Sequence, residues 1–446
     1  MRPRPTRPRL LQAMIDAFHL PDLRRRILLT LAILVVFRFI AHVTLPGVNL
    51  EVLRNIFDPQ SQAGLSGLLR MLDMFSGGTL RYFSVAALGV YPYITASIIM
   101  QLMVPVIPRL QSLAMEGEAG RHKVDRITHW LTIPMSALAG YGQLALLRNQ
   151  GAIASSSTLQ TVTMILAMTA GTMFLVWLGE LITEYGIGNG ISIIIFAGIV
   201  AGYADLLPNV TLAGQQGMWG GLIAYIVISI ATIVFIVVFT EAHRRIPVQY
   251  ARMVYRSGRS YRQSGATHIP IRVNTAGMIP LIFSVSMVIF PATIASWFAA
   301  APGVEPNLAN RILDWFNPNS ALPIGLLYWG LYFVLTIAFA FFYTVVVFQQ
   351  QDLAGTLQRQ GGFIPGVRPG KNTATYLNQV VTRVTWAGAL FLGIVAIVPF
   401  LAREVTNVQT IQLSTMGLLI VVGVVLDTMK QMEAQLVMRR YEGFIK

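Results

Sequence analysis

Residues 82–107 read YFSVAALGVYPYITASIIMQLMVPVI, twenty-six positions without one Asp, Glu, Lys or Arg. Crossing roughly 30 Å of hydrocarbon takes about 20 predominantly apolar residues in a helix, whose backbone groups bond one another instead of water. This run is long enough, and the chain carries ten such runs. The others are 27–45, 127–147, 159–178, 187–204, 218–239, 275–298, 323–348, 384–401 and 408–426, and Arg38 is the one formal charge inside all ten. With 54% hydrophobic and 12% charged residues over 446 positions, the composition lies outside the range of a soluble globular chain. The expected class is an all-α polytopic membrane protein of ten transmembrane helices.

Working outward from 82–107, the flanking loops set the orientation, because cytoplasmic loops collect Lys and Arg near span ends. With the N-terminus inside, segments 1–26, 108–126, 240–274, 349–383 and 427–446 hold 26 basic residues. The opposite side holds six: Arg54, Arg70, Arg81, Arg148, Arg311 and Arg403. Both ends are therefore expected in the cytoplasm, and the net charge of +14 needs no DNA partner to explain it. Arg24, Arg25 and Arg26 precede the first span as they would a signal peptide, but no small-residue cleavage site follows, so a permanent helix is expected. Before it, Leu10, Leu11, Met14, Ile15 and Phe18 recur at helical spacing, suiting a short helix on the inner leaflet.

Enzyme chemistry finds no foothold in the pattern. There is no phosphate-binding glycine loop, no metal-spaced His and Glu set, no cysteine and no carboxylate pair inside the spans, so neither catalysis nor a cofactor is expected. An ion-coupled transporter would place ionisable groups near mid-membrane, where only Arg38 is available. A carrier with a neutral polar site stays open on these grounds. Immediately before the opening run, 65–75 is too short to cross a bilayer and contains Arg70 and Asp73, and Ser76, Gly77 and Gly78 break it. It reads either as an external loop helix or as a re-entrant helix seated in a cavity, where non-helical backbone is satisfied.

The motifs narrow these options. Phe75-Ser-Gly-Gly-Thr79 with Ala87-Leu-Gly-Val-Tyr-Pro-Tyr-Ile-Thr-Ala-Ser-Ile-Ile99 resembles the plug and second helix of the SecY family, the pore subunits of protein-export channels. Further matches follow in order: Ile187-Gly-Asn-Gly-Ile-Ser-Ile-Ile-Ile-Phe-Ala-Gly-Ile199, Arg244-Arg-Ile-Pro-Val-Gln-Tyr-Ala251, Thr267-His-Ile-Pro270, Gly361-Gly-Phe-Ile-Pro-Gly-Val-Arg-Pro-Gly370 and Arg440-Tyr-Glu-Gly-Phe444. The resemblance covers everything after the N-terminal arm. Gln349-Gln-Gln351, His129 and the arginine-rich 255–263 depart from the family pattern.

The resemblance implies two pseudo-symmetric inverted halves, 27–207 and 218–430, around an hourglass pore. The arm 1–26 precedes them, cytoplasmic loops 241–273 and 349–379 lie in the second half, and a cytoplasmic tail, 431–446, follows. It implies a waist ring of Val90, Ile94, Ile191, Ile195, Ile282 and Ile420, and a re-entrant plug helix at 65–75 with Leu68, Leu69, Met71, Leu72 and Phe75. A lateral gate would carry Gln101, Thr132 and Asn274, with Thr128 as the alternative to Thr132. Arg244, Arg245 and Arg368 would dock partners. The implied partners are the small subunits SecE and SecG, the SecA motor ATPase, the ribosome with its nascent chain, signal peptides and membrane lipids. The implied place is the bacterial plasma membrane. The spacing agrees with the ring, since Val90/Ile94 and Ile191/Ile195 are i,i+4 pairs that share a face wherever they are helical.

Overall fold

The computed structural model of the chain describes residues 20–57, 73, 76–149, 151–153, 157–204, 215, 219–256, 259–298, 307–318, 320, 323–351, 353–406 and 415–442. The interfacial stripe from Leu10 to Phe18 and the plug residues Leu68, Leu69, Met71, Leu72 and Phe75 lie outside the described residues.

The first five expected spans correspond to α1 (Pro21–Ile40), α3 (Tyr91–Val106), α5 (Glu118–Asn149), α6 (Thr158–Tyr185) and α7 (Gly190–Ala204). Short helices α2 (Leu50–Phe57) and α4 (Pro108–Met115) lie between them. The second five correspond to α8 (Trp219–Glu241), α9 (Ile279–Phe298), α11 (Ile324–Gln351), α13 (Lys371–Thr406) and α14 (Thr415–Glu442), with α10 (Leu308–Trp315) and α12 (Leu353–Arg359) as short connectors. Among the described residues, Thr158–Tyr185, Trp219–Glu241, Ile324–Arg359 and Lys371–Thr406 are each long and apolar enough to cross a bilayer. The pair α3 and α4, bent by 100° at Ile107 between Pro105 and Pro108, adds a fifth if counted as one span. The other five of the expected ten are the shorter apolar helices α7 and α9 and the helices with charged ends, α1, α5 and α14.

Packing divides the helices unevenly. α3 and α6 each pack on α5, and α7 lies against α6 and α1; on the other side α13 packs on α11, α8 and α14, and α11 on α9. Between these groups α7 lies firmly on α14, α9 touches α5, and α3 and α9 meet only sparsely. Apolar side chains from both groups still form one continuous buried cluster. Lipid is as apolar as leucine, so close packing rather than escape from water must hold this cluster together.

The first departure from expectation is at the start of α3, which hydropathy put at residue 82. Instead a 3-10 turn spans Leu80–Tyr82, Phe83 sits in the left-handed region at φ 42°, and turns continue to Val90 before the helix begins at Tyr91. Pro92 fits the first turn, where a missing N–H costs nothing. Sixteen helical residues give about 24 Å, short of the hydrocarbon thickness. The non-helical stretch lengthens the passage, and Leu80, Phe83, Ala86, Ala87, Leu88 and Val90 are all buried in protein, the condition for irregular backbone at membrane depth.

The second departure is on the basic face. The loop 241–273 is mainly a long antiparallel hairpin, β1 (His243–Arg256) and β2 (Arg259–Arg272). β3 (Gly362–Phe363), from the loop 349–379, pairs with β1 at Gln249 and Tyr250, making a sheet of order β2-β1-β3. Period-two burial explains the hairpin: Ile246 and Val248 point inward while Arg245 and Pro247 are exposed. A second small core joins Ile246, Val248 and Ile271 to Leu357, Ile364, Leu377, Val380 and Val381. The N-terminal end of α13 supplies the last three, which is why that helix starts thirteen residues before the expected span at 384. Two loops that hydropathy separates are thus one folded body, on one face of the protein, as the distribution of basic residues requires.

Candidate pore and gate

The segment entering α3 is built from polar contacts that few side chains provide. Asp73 is buried, and its carboxylate accepts from Arg81 Nε at 3.0 Å and from the Arg81 backbone N–H at 3.1 Å. A buried carboxylate requires such a partner, so the pairing accounts for an acid in an otherwise apolar neighbourhood. The Ser76 hydroxyl donates to the Asp73 carbonyl at 2.9 Å, and the Thr79 hydroxyl lies 2.7 Å from the Ala86 carbonyl oxygen. Gly77, at φ +76°, brings its backbone against Gly198 of α7 so closely that a Cβ on Gly198 would lie 2.3 Å from the Gly77 Cα. Gly89 is similarly confined, since its Cβ would lie 2.6 Å from the Ser76 Cα. The Ser-Gly-Gly break in the sequence is therefore a close crossing against α7.

The six expected waist residues come from the entry to α3 and from α3, α7, α9 and α14. Val90, Ile195, Ile282 and Ile420 are buried in the shared apolar cluster, and Ile94 and Ile191 are partly buried against it. Val90 is not on the helix as expected. It caps α3, its carbonyl accepting from the Ile94 N–H at 3.1 Å, which still sets the two residues one turn apart.

The three expected gate residues are not linked to one another by hydrogen bonds among the described residues. Thr132 is fully buried on α5 and donates to the Thr128 carbonyl at 2.8 Å, an i−4 bond within its own helix. Thr128 does the same to Val124 at 3.0 Å. Gln101 is half-buried on α3. Asn274 is not on a gate helix: α9 starts at Ile279, and Asn274 lies in the turn after β2, backed by Gly388 of α13, with its buried Oδ1 unpaired. What does bridge α3 and α9 is a pair that hydropathy passes over. Tyr91 Oη lies 3.1 Å from Ser286 Oγ, and Ser286 donates to the Ile282 carbonyl at 2.8 Å. The signal was adjacency, Tyr91 beside Val90 and Ser286 one turn after Ile282, but neither residue stands out without the contact.

The chain as a whole resembles proteins of known family. The SecY family model matches residues 84–429. The translocase subunit SecY of Streptomyces galbus is 41% identical over 98% of this chain and 100% of its own length. That of Thermotoga maritima is 42% identical over 98% of each. The chain belongs to the SecY family. Among solved structures, one titled as a protein conducting channel superposes with a TM-score of 0.62 at 17% identity, covering 95% of this chain and 97% of that one. Sec61 in a canine ribosome-channel complex superposes with a TM-score of 0.63 at 17% identity over the same shares. Those likenesses carry the fold, that of a multi-pass SecY-type membrane protein.

On this SecY scaffold the expected docking residues lie on the folded basic body. Arg244 and Arg245 are exposed at the start of β1, with Arg245 Nε 3.1 Å from His243 Nε2. Arg368 is exposed in the turn leading to α13, where its carbonyl accepts from Thr373 Oγ1 at 3.0 Å. Pairing of β3 with β1 ties the loops bearing these arginines together.

Proposed function

We propose that this chain is the central channel subunit of a Sec translocon, passing unfolded secretory proteins across the membrane and releasing membrane proteins sideways into it. What supports this is that Val90, Ile195, Ile282 and Ile420, from the α3 entry, α7, α9 and α14, are buried in one apolar cluster beside a sparse α3/α9 contact. A narrow apolar constriction dewets and blocks ions, while flexible aliphatic side chains close around a chain of any sequence. A charged ring would hold some segments and reject others. In this reading the seam is the lateral exit, and Leu68, Leu69, Met71, Leu72 and Phe75 belong to the plug. The firm α7/α14 contact joins the two groups of helices.

In this reading the pore is passive and the protein sits in the bacterial plasma membrane with both termini cytoplasmic and SecE and SecG beside it. Signal peptides enter the seam from the pore. The ribosome and SecA dock on the basic sheet body, where the planar guanidinium fork suits phosphate and carboxylate alike. Site-specific crosslinking of a stalled secretory chain tests the pathway: crosslinks are expected at residues 90, 191 and 282, and their absence at all three sinks the channel reading. Arg368→Glu is expected to abolish SecA-driven export of a preprotein into vesicles, since the substitution reverses the charge of an exposed donor fork. Normal export by that variant removes Arg368 from the docking surface.

A further inference from the structure

We propose that Arg38, with His42 and Tyr82 beside it, binds the headgroup of an outer-leaflet phospholipid and draws it below the general plane of the membrane surface. The inference goes beyond the channel reading, since it rests only on α1 crossing the bilayer in the orientation proposed above. Arg38 is the one formal charge inside the ten apolar runs. It is half-buried in the last turn of α1, and among the described residues its guanidinium has neither an ion pair nor a hydrogen bond. Its carbonyl accepts from His42 Nδ1 at 2.8 Å, which leaves the charged group itself unsatisfied. The helix dipole favours a cation at this end, but that effect is too small to offset a charge left unpaired in hydrocarbon.

Depth identifies the partner. Arg26 ends the basic cluster at the inner boundary, and Arg38 follows it by about 18 Å of helix, roughly 12 Å short of the outer edge of the hydrocarbon. The helix stops at Ile40, and the turn after it is pinned sideways: the Val43 carbonyl accepts from the Val85 N–H at 2.9 Å, and the Leu45 N–H donates to the Phe83 carbonyl at 3.0 Å. His42, Val43 and Thr44 are exposed, so non-helical backbone meets the surroundings at a depth where a flat bilayer offers only acyl chains. An arginine that snorkels outward and a phosphate drawn inward satisfy both at once. The guanidinium fork matches two phosphate oxygens, while the exposed Val35 and Phe39 offer apolar surface to the acyl chains. The Tyr82 ring lies 4.8 Å from that of His42 and steadies it. With Nδ1 donating to the Arg38 carbonyl, His42 Nε2 is left to accept from the ammonium or hydroxyl of the headgroup.

The test uses the complete translocon in vesicles of phosphatidylethanolamine and phosphatidylglycerol, with a fluorophore on Phe39→Cys, the chain having no cysteine of its own. Quenching is compared between phospholipids carrying a nitroxide on the headgroup and phospholipids carrying it midway along an acyl chain. In the otherwise native chain the headgroup label is expected to quench more strongly, although residue 39 lies roughly 10 Å below the outer edge of a flat hydrocarbon layer. A stronger mid-chain signal overturns the site. Arg38→Gln is expected to lower headgroup quenching by about 3- to 10-fold, and Arg38→Lys to keep most of it, because an ammonium still pairs with phosphate as a point charge. Undiminished headgroup quenching in Arg38→Gln removes Arg38 from any lipid site. Quenching by aqueous iodide above that by either lipid means that the arginine faces water instead, and insensitivity to both lipid labels means that a protein partner covers it; either result overturns the proposal.

Discussion

Replacing Ile191 and Ile195 together by glycine is expected to raise the ion conductance of the resting channel in planar bilayers, on the order of tenfold or more, because it removes two aliphatic side chains from one face of α7 at the proposed constriction. The two are an i,i+4 pair, and α7 presents them toward the cluster that also takes in Val90, Ile282 and Ile420. Dewetting depends on the width and apolarity of the narrowest point, so widening it lets water and then ions through. Each glycine also costs about 1 kcal/mol of helix stability, and truncating the buried Ile195 costs about a further 2–5 kcal/mol. A parallel Ile191→Val/Ile195→Val channel separates these effects, since it keeps an aliphatic ring at a cost of about 0.5–1.5 kcal/mol per site. Conductance unchanged in the glycine variant counts against the assignment of α7 to the waist, whatever its thermal stability.

The close crossing of Gly77 and Gly198 leads to the other large effect. Alanine at Gly198 places a methyl 2.3 Å from the Gly77 Cα, inside any real carbon–carbon contact, so backbone must move. Gly202, one turn along the same helix, is the control: a methyl there meets Arg81 Nη2 at an ordinary 3.8 Å. Glycine to alanine in a helix is otherwise favourable by about 1 kcal/mol, so Gly202→Ala should be neutral or stabilising while Gly198→Ala loses about 1–3 kcal/mol through overpacking. The chain has no cysteine, which makes accessibility simple to follow. A single cysteine in place of the buried Ala86 should react with a water-soluble maleimide much faster in Gly198→Ala than in Gly202→Ala. Equal rates would show that segment 76–90 is not held in place by its contact with α7.

Much of this was legible in the chain itself. Hydropathy located α6, α8 and α11 to within a few residues at most ends, because a long apolar helix in lipid is specified locally: each backbone group bonds four residues away and each side chain meets the same solvent. The charge-free spans and the basic loops were enough to name the class and assign the sheet-bearing loops to one face. The motifs were enough to nominate a waist, and the residues they nominated do join one apolar cluster.

Hydropathy failed where a residue's state depends on partners far along the chain. The stretch 82–90 is as apolar as any helix, yet it is irregular because Gly77 and Gly89 allow backbone to approach backbone, Asp73 finds Arg81 and Thr79 finds Ala86. The base of the hairpin buries Ile246 and Val248 because Leu357, Ile364 and the extended start of α13 cover that face. The resemblance nominated Asn274 and Thr132 for the gate, but a motif match does not say which way a side chain turns, and Thr132 donates to its own helix. Composition and periodicity determined that the chain crosses a membrane and which runs are apolar, since those depend on transfer from water to lipid residue by residue. Tertiary structure alone decided where α3 begins, that the two loops are one body, and that Tyr91 meets Ser286 across the seam, since each depends on contacts between residues far apart in sequence.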